Sequence, residues 1–169
     1  DKDTSGLLVI ARNGKSLQRL MAQFQQRTVE KTYLSLAAKA PRTPNGRIDL
    51  PITRNPAQRQ RMMVNRDGRP AITEFHTLES FADGSALLEV ALLTGRTHQI
   101  RVHLAYIGAP LVGDTVYGFR KGKRGPGRQF LHAARLCFDH PRRGERLCFE
   151  APLPPDLTTY LSALRNAGH

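Results

Sequence analysis

Cysteine, acidic residues and long apolar runs are all scarce in this sequence, and each shortage excludes something. No apolar stretch approaches the ~20 residues of a membrane span, and the opening residues do not read as a secretory signal. Cysteine occurs twice in 169 residues, as Cys137 and Cys148 on either side of a Pro-Arg-Arg-Gly turn. Neither has metal-ligand spacing. Facing strands would bring the two close, but the expectation is a pair of buried thiols in the reducing cytoplasm. There is no Walker sequence, dinucleotide fingerprint or zinc set, so no cofactor is expected. Internal repeats and low-complexity linkers are also missing. What remains is the length of one domain, and a hydrophobic content of 40% argues against disorder.

Acidic side chains number 14 against 26 lysines and arginines, a net charge of +12. So lopsided a balance points to a polyanionic partner. Membrane lipid is the weaker candidate because no basic amphipathic helix stands out. The basic residues cluster. Arg54, Arg59, Arg61, Arg66 and Arg69 share a stretch with one acid, Asp67. Arg120, Lys121, Lys123, Arg124 and Arg128 are threaded with glycine and proline, which reads as a loop suited to phosphate contacts.

Patterning predicts an α+β domain: a mixed, mainly antiparallel sheet with flanking helices. Leu7 to Ala11 reads as a short buried strand. Leu17, Leu20, Met21 and Phe24 recur at i, i+3, i+4, i+7, one face of a helix capped by Asn13 or Ser16 and directed into the core. Thr32 to Ala37 alternates as a strand does. Asp67-Gly68 and Asp83-Gly84 are hairpin signals, with Thr73 to Phe81 and Ser85 to Leu93 as the arms of the second. Cys137 to Asp139 and Arg146 to Phe149 pair around Pro141 to Gly144. After Leu93 the period changes. Thr97 is expected to cap a helix bearing Ile100, Leu104 and Ile107 that stops at Gly108, with an anion-attracting N-terminus. A last helix spans Asp156 to Arg165.

Two segments carry chemistry. The first is Asp1-Lys2-Asp3-Thr4-Ser5-Gly6. Two acids one residue apart suggest magnesium or plain surface polarity, but a metal site needs further carboxylates and no set is evident. The second is Gly95-Arg96-Thr97-His98-Gln99-Ile100-Arg101-Val102-His103. Its two histidines are five residues apart, roughly 140° around a helix of about 3.6 residues per turn, and so cannot easily share an ion. His98 and Arg101, three apart, do share a helical face, which is polar and cationic. His103, His132 and His140 read as structural.

Asp1 to Val9 resembles the catalytic motif of the RluA family of RNA pseudouridine synthases, which runs His-Arg-Leu-Asp-x-x-Thr-Ser-Gly. The match implies that Asp1, not Asp3, is the nucleophile. Lys31-Thr32-Tyr33 resembles the family's Lys-x-Tyr strand, whose tyrosine lies against the target base. Gly95 to His103 resembles its Gly-Arg-Thr-His-Gln-Ile-Arg-x-His motif, whose second arginine, here Arg101, pairs with the catalytic aspartate. Ile100 matches the apolar residue under the base. Gly113-Asp114, Tyr117-Gly118 and Leu131-His132-Ala133 match as well. The resemblance implies catalytic residues Asp1, Tyr33 and Arg101. It implies substrate-binding residues Ile100, Arg96 and His98, with Asp3 and Arg96 supporting the loop around Asp1.

The family's His-Arg-Leu would precede Asp1 and lies outside this sequence. Residues 1–169 are therefore expected to be a catalytic domain without its N-terminal portion. The expected protein is a cytoplasmic monomer with RNA as partner, large-subunit ribosomal RNA above all, and neither membrane nor metal. A transfer-RNA-modifying member and a non-catalytic RNA-binding module stay open as alternatives.

Overall fold

A computed structural model of the chain describes residues 1–119 and 125–167. In chain order the elements are β1 (Ser5–Gly6), α1 (Gly14–Gln26), β2 (Glu30–Ala37), β3 (Asn45–Asp49), β4 (Ile52–Arg54), β5 (Met62–Val64), β6 (Ile72–Ser80) and β7 (Ala86–Leu92). They continue with α2 (Gln99–Tyr106), β8 (Leu131–Asp139), β9 (Arg146–Glu150) and α3 (Pro155–Asn166). Seven strands form one sheet in the order β1-β8-β2-β7-β6-β3, with β9 also on β8; β4 and β5 pair separately. Only β1 runs parallel to its neighbour, so the sheet is mixed and mainly antiparallel.

Side-chain alternation sorts the core onto the two faces. Ala37, Leu88 and Val90 join Ile100 and Leu104 of α2, whereas Leu36 and Leu87 join Leu157 and Leu161 of α3. The sheet is thus a septum with a helix on each side. Both predicted hairpins form: Thr77 faces Leu88 across β6–β7, and Asp139 faces Arg146 across β8–β9. Asp67-Gly68 does turn, through Gly68 N–H donating to Asn65. It returns the chain to Ile52 by an isolated bridge at Arg69 rather than joining two strands of the main sheet.

Several expectations fail for local reasons. Leu7 to Ala11 is not a buried strand. Leu7, Val9 and Ala11 pack on a small cluster with Leu136 and Phe138, but Leu8 and Ile10 alternate outward at the sheet edge and are exposed. Asn13 caps α1 as expected, accepting from Ser16 N–H. That helix buries Leu20 against the sheet and exchanges two hydrogen bonds between Gln23 and Asp139 of β8; Leu17, Met21 and Phe24 are 50%, 51% and 41% exposed, so they are not core. Thr97 does not cap α2. The residue before the helix is His98, in the left-handed region at φ 57°, and the turn is closed by Gln99, whose Oε1 accepts from Arg96 N–H and Thr94 Oγ1. The cysteines are not two buried thiols. Cys137 and Cys148 face each other directly in β8–β9 with Cα atoms 4.1 Å apart, close enough for the disulfide that joins them.

Candidate active site

Asp1 lies on a loop that the rest of the chain holds from beneath. Gln129 Nε2 donates to the Lys2 carbonyl at 2.7 Å, and Arg128 donates to the Asp3 carbonyl and to Ser5 Oγ. Asp3 occupies the left-handed region at φ 67°, which turns the chain between Asp1 and β1. Gly6, at φ 105°, lets β1 lie flush on β8: a Cβ there would stand 2.2 Å from the Ala133 carbonyl oxygen. Arg128 also pairs with Asp156 at 2.8 Å. It therefore braces the Asp1 loop, which corrects its placement among free phosphate-binding cations. The other members of that cluster, Arg120 to Arg124, lie outside the described residues.

The chain brings Arg101 to Asp1 from α2. Arg101 Nη1 is 3.7 Å from Asp1 Oδ2, with the two side chains 6% and 19% exposed. Arg101 has a second and closer carboxylate that sequence reasoning left without a role. Its Nε and Nη2 donate to Asp114 Oδ2 and Oδ1 at 2.7 and 2.9 Å, a bidentate fork. Asp114 Oδ1 also accepts from the backbone N–H groups of Val116 and Tyr117. Burial opposes its ionisation, but the Arg101 hydrogen bonds and these backbone donors outweigh that and hold the carboxyl below its ordinary range. The sequence signal was present in the Gly113-Asp114 and Tyr117-Gly118 matches; what it lacked was the partner. Gly113, at φ 74°, lets this loop pass within contact of the Arg128 carbonyl.

Tyr117 ties the group together. The Arg101 guanidinium lies 5.1 Å from its ring centroid, and His98 Nδ1 is 2.8 Å from its hydroxyl. His98 thus precedes α2 in the left-handed region rather than sharing a helical face with Arg101 as expected, yet both side chains meet Tyr117. Burial first, then the Arg101 cation, lowers the His98 pKa. Arg61, from the first basic cluster, donates to the Val116 carbonyl and covers the other reach of Tyr117 at 5.4 Å.

In front of Asp1 opens a cavity of about 280 Å³. Tyr33, Ile100 and Leu131 supply apolar walls, Gly95 and Arg96 one side, Phe24 and Lys31 the rim. The structure thereby gathers Asp1, Tyr33, Ile100 and Arg96 around one space, with Arg101 behind Asp1. His98 is not among the lining residues. Phe24, expected in the core, and Lys31, named only as part of the Lys-x-Tyr match, also line the site. The Lys31 ammonium lies 5.5 Å from the Phe24 ring centroid. Burial pushes the Tyr33 hydroxyl above its ordinary value, so at neutral pH it is an uncharged phenol. Arg96 donates from Nε to the Pro70 carbonyl, which fixes its stem beside the turn. Among the described residues no cluster of three or more histidines, cysteines or carboxylates is placed to hold a metal. No helix among them is long and apolar enough to cross a membrane.

A family model described as RNA pseudouridylate synthase matches residues 1–106. An uncharacterized RNA pseudouridine synthase of Chloroflexus aurantiacus is 52% identical over 166 residues, covering 98% of this chain and 52% of that protein. The ribosomal large subunit pseudouridine synthase D of Nitrosomonas europaea is 46% identical over 176 residues, covering 100% and 51%. The chain thus spans about half the length of the curated relatives it matches. Among solved structures, human RNA pseudouridylate synthase domain containing 1 superposes with a TM-score of 0.81 at 30% identity, over 98% of this chain and 77% of the other. Motifs, fold and relatives coincide, and the chain belongs to the RNA pseudouridylate synthase family, in the RluA-type branch that its motifs resemble.

Proposed function

We propose that the protein converts uridine to pseudouridine in RNA, with Asp1 as nucleophile and large-subunit ribosomal RNA as substrate. One observation carries the reading: a carboxylate held against a buried arginine and lining a cavity together with the apolar side chains of Tyr33, Ile100 and Leu131. The ribosomal target is supported by relatives named ribosomal large subunit pseudouridine synthase D.

The reaction breaks the N1–C1′ bond and forms C5–C1′. The proton on C5 is lost and N1 regains one, so atoms and electrons balance without a co-reactant. A carboxylate opens a covalent route between the two bonds. Arg101 aims it and offsets the desolvation that a bound base imposes. Because Asp114 already occupies two of its donors, Arg101 is fixed before substrate arrives and does not fully neutralise Asp1. The target base has to leave any stack to reach this depth, as in base flipping.

Tyr33 is assigned to packing against the uracil, an aromatic platform of the kind RNA-binding proteins use. Its raised pKa disfavours a resting phenolate. Tyr33→Phe is therefore expected to keep turnover within about tenfold of wild type, whereas loss of a general base would lower it by roughly 10²–10⁴-fold. Single-turnover rates of the two proteins on the same RNA decide between these roles.

The test of the function itself is release of tritium from C5 of uridine in labelled RNA, measured with the full-length protein. Release matched by pseudouridine in the digested product is the expected result. RNA that is bound without release would leave the RNA-binding module as the better description.

A further inference from the structure

We propose that a second cavity beside the Asp1 cavity is the subsite for a nucleotide flanking the target uridine, with Lys31 and Arg27 holding the phosphodiester that joins the two. The proposal rests on the reading of the Asp1 cavity as the uracil site.

The second cavity measures about 310 Å³, similar to its neighbour, and is bordered by the cations Arg27 and Lys31, the acid Glu30, Thr32, and the aliphatic Val29, Ala91, Leu92 and Leu93. Lys31 and Leu92 border both spaces. If one nucleotide fills the Asp1 cavity, the next lies in the adjoining space and their linking phosphate lies over the divide. The divide carries an ammonium. The aliphatic side chains of Val29, Ala91, Leu92 and Leu93 offer an apolar bed for a base or ribose that forms no base-specific hydrogen bonds.

The cations here are uncommitted. Among the described residues, the Lys31 ammonium has only the Phe24 ring as a charged-group contact, and the Arg27 guanidinium makes no hydrogen bond or ion pair. The nearby acid, Glu30, is engaged by Arg146 at 2.6 Å. The charges of Arg69 and Arg27 both bear on Arg96, which lines the first cavity, so the two spaces share one cationic border. Burial lowers the Lys31 pKa, the mark of an ammonium taken from water without an anion to offset it. A phosphate oxygen would supply that anion.

The backbone of Arg27 gives an independent sign. It terminates α1 in the left-handed region, at φ 60° and ψ 30°, with its N–H bonded to the carbonyls of Gln23 and Phe24. Glycine adopts this cap conformation without strain, and an L side chain does not. A long cationic side chain at a strained position, bordering a cavity and without a hydrogen bond or ion pair among the described residues, fits a role in binding.

The strain also makes the test clean. Arg27→Gly removes the cation and relieves the backbone, so the full-length variant is expected to melt at or above the wild-type temperature. Lys31→Gln removes the second cation. With fluorescein-labelled heptauridylate, each variant is expected to bind several-fold more weakly. Each should also lower the slope of log affinity against log salt, and because both cations serve one phosphate the double variant should lower it by about 0.7, the value for one phosphate contact to a single strand. Arg47→Gln, on the exposed β3 edge, should leave both unchanged. The dinucleotide UpU should inhibit wild-type tritium release at lower concentration than uridine does, and that advantage should vanish in both variants. Unchanged slopes, UpU no better than uridine on wild type, or weaker binding with a lowered melting temperature in both variants would overturn the subsite. A wild type that releases no tritium instead overturns the parent reading of the Asp1 cavity.

Discussion

Asp114→Ala is expected to be the most destabilising single change near the site, by about 3–5 kcal/mol, because it strands a buried guanidinium. The Arg101 side chain is 6% exposed, and the bidentate fork to Asp114 is its close carboxylate contact; Asp1 is farther off at 3.7 Å. At roughly 2–4 °C per kcal/mol for a domain of this size, the loss lowers the melting temperature by some 10 °C. Two backbone donors, Val116 N–H and Tyr117 N–H, lose their acceptor in the same step. Asp114→Asn keeps an oxygen for those donors but turns an amide toward Arg101, so it should fold better than the alanine variant and still lose turnover. The effect on acid stability has a definite sign. The Asp114 carboxyl lies below its ordinary range in the folded chain. Its contribution is therefore present above the unfolded value near 3.9 and is lost as pH falls through the lower folded value. Thermal melts at falling pH should show wild type losing stability through that acid window, with a shallower loss in Asp114→Ala.

How much of this was legible in the sequence depends on the range of the signal. The β6–β7 and β8–β9 hairpins follow from local turn chemistry at Asp83-Gly84 and around Gly144, and both form, although the β6–β7 register shifts between Thr77 and Glu79. The final helix is fixed by Pro155 at its first turn and by Leu157 and Leu161, four residues apart and both buried. The motifs located Asp1, Tyr33, Ile100 and Arg101. Periodicity gave the right helix at α1 but not its burial. A 3.6-residue stripe says which side chains share a face, not whether anything lies opposite, and here Leu20 is the one apolar stripe residue that is buried. The same limit explains Leu8 and Ile10, which alternate correctly and face outward at an edge. Asp114 was missed because its meaning is a pairing across thirteen residues and two elements. The disulfide was missed because a compartment argument outweighed a register argument; the strands place Cys137 and Cys148 opposite each other regardless of where the protein resides.

The largest effect on activity is expected at Asp1. Asp1→Asn preserves the size of the side chain and one hydrogen-bonding oxygen for Arg101, but an amide cannot act as an anionic nucleophile. The fold should survive, since Asp1 is the farther of the two carboxylates at 3.7 Å and the Asp114 fork still holds the Arg101 guanidinium. Affinity for RNA should survive as well, because it rests on phosphate contacts rather than on this atom. Asp3 is the internal control. Its backbone carbonyl accepts from Arg128, so Asp3→Asn leaves that contact in place.

The most direct measurement is single-turnover release of tritium from C5 of uridine in RNA, run side by side on full-length wild type, Asp1→Asn and Asp3→Asn, each shown to bind the RNA. The geometry predicts release by wild type, none above background by Asp1→Asn, and substantial release by Asp3→Asn. Release by Asp1→Asn at close to the wild-type rate, in a preparation free of deamidated protein, would contradict the assignment of Asp1 as the nucleophile.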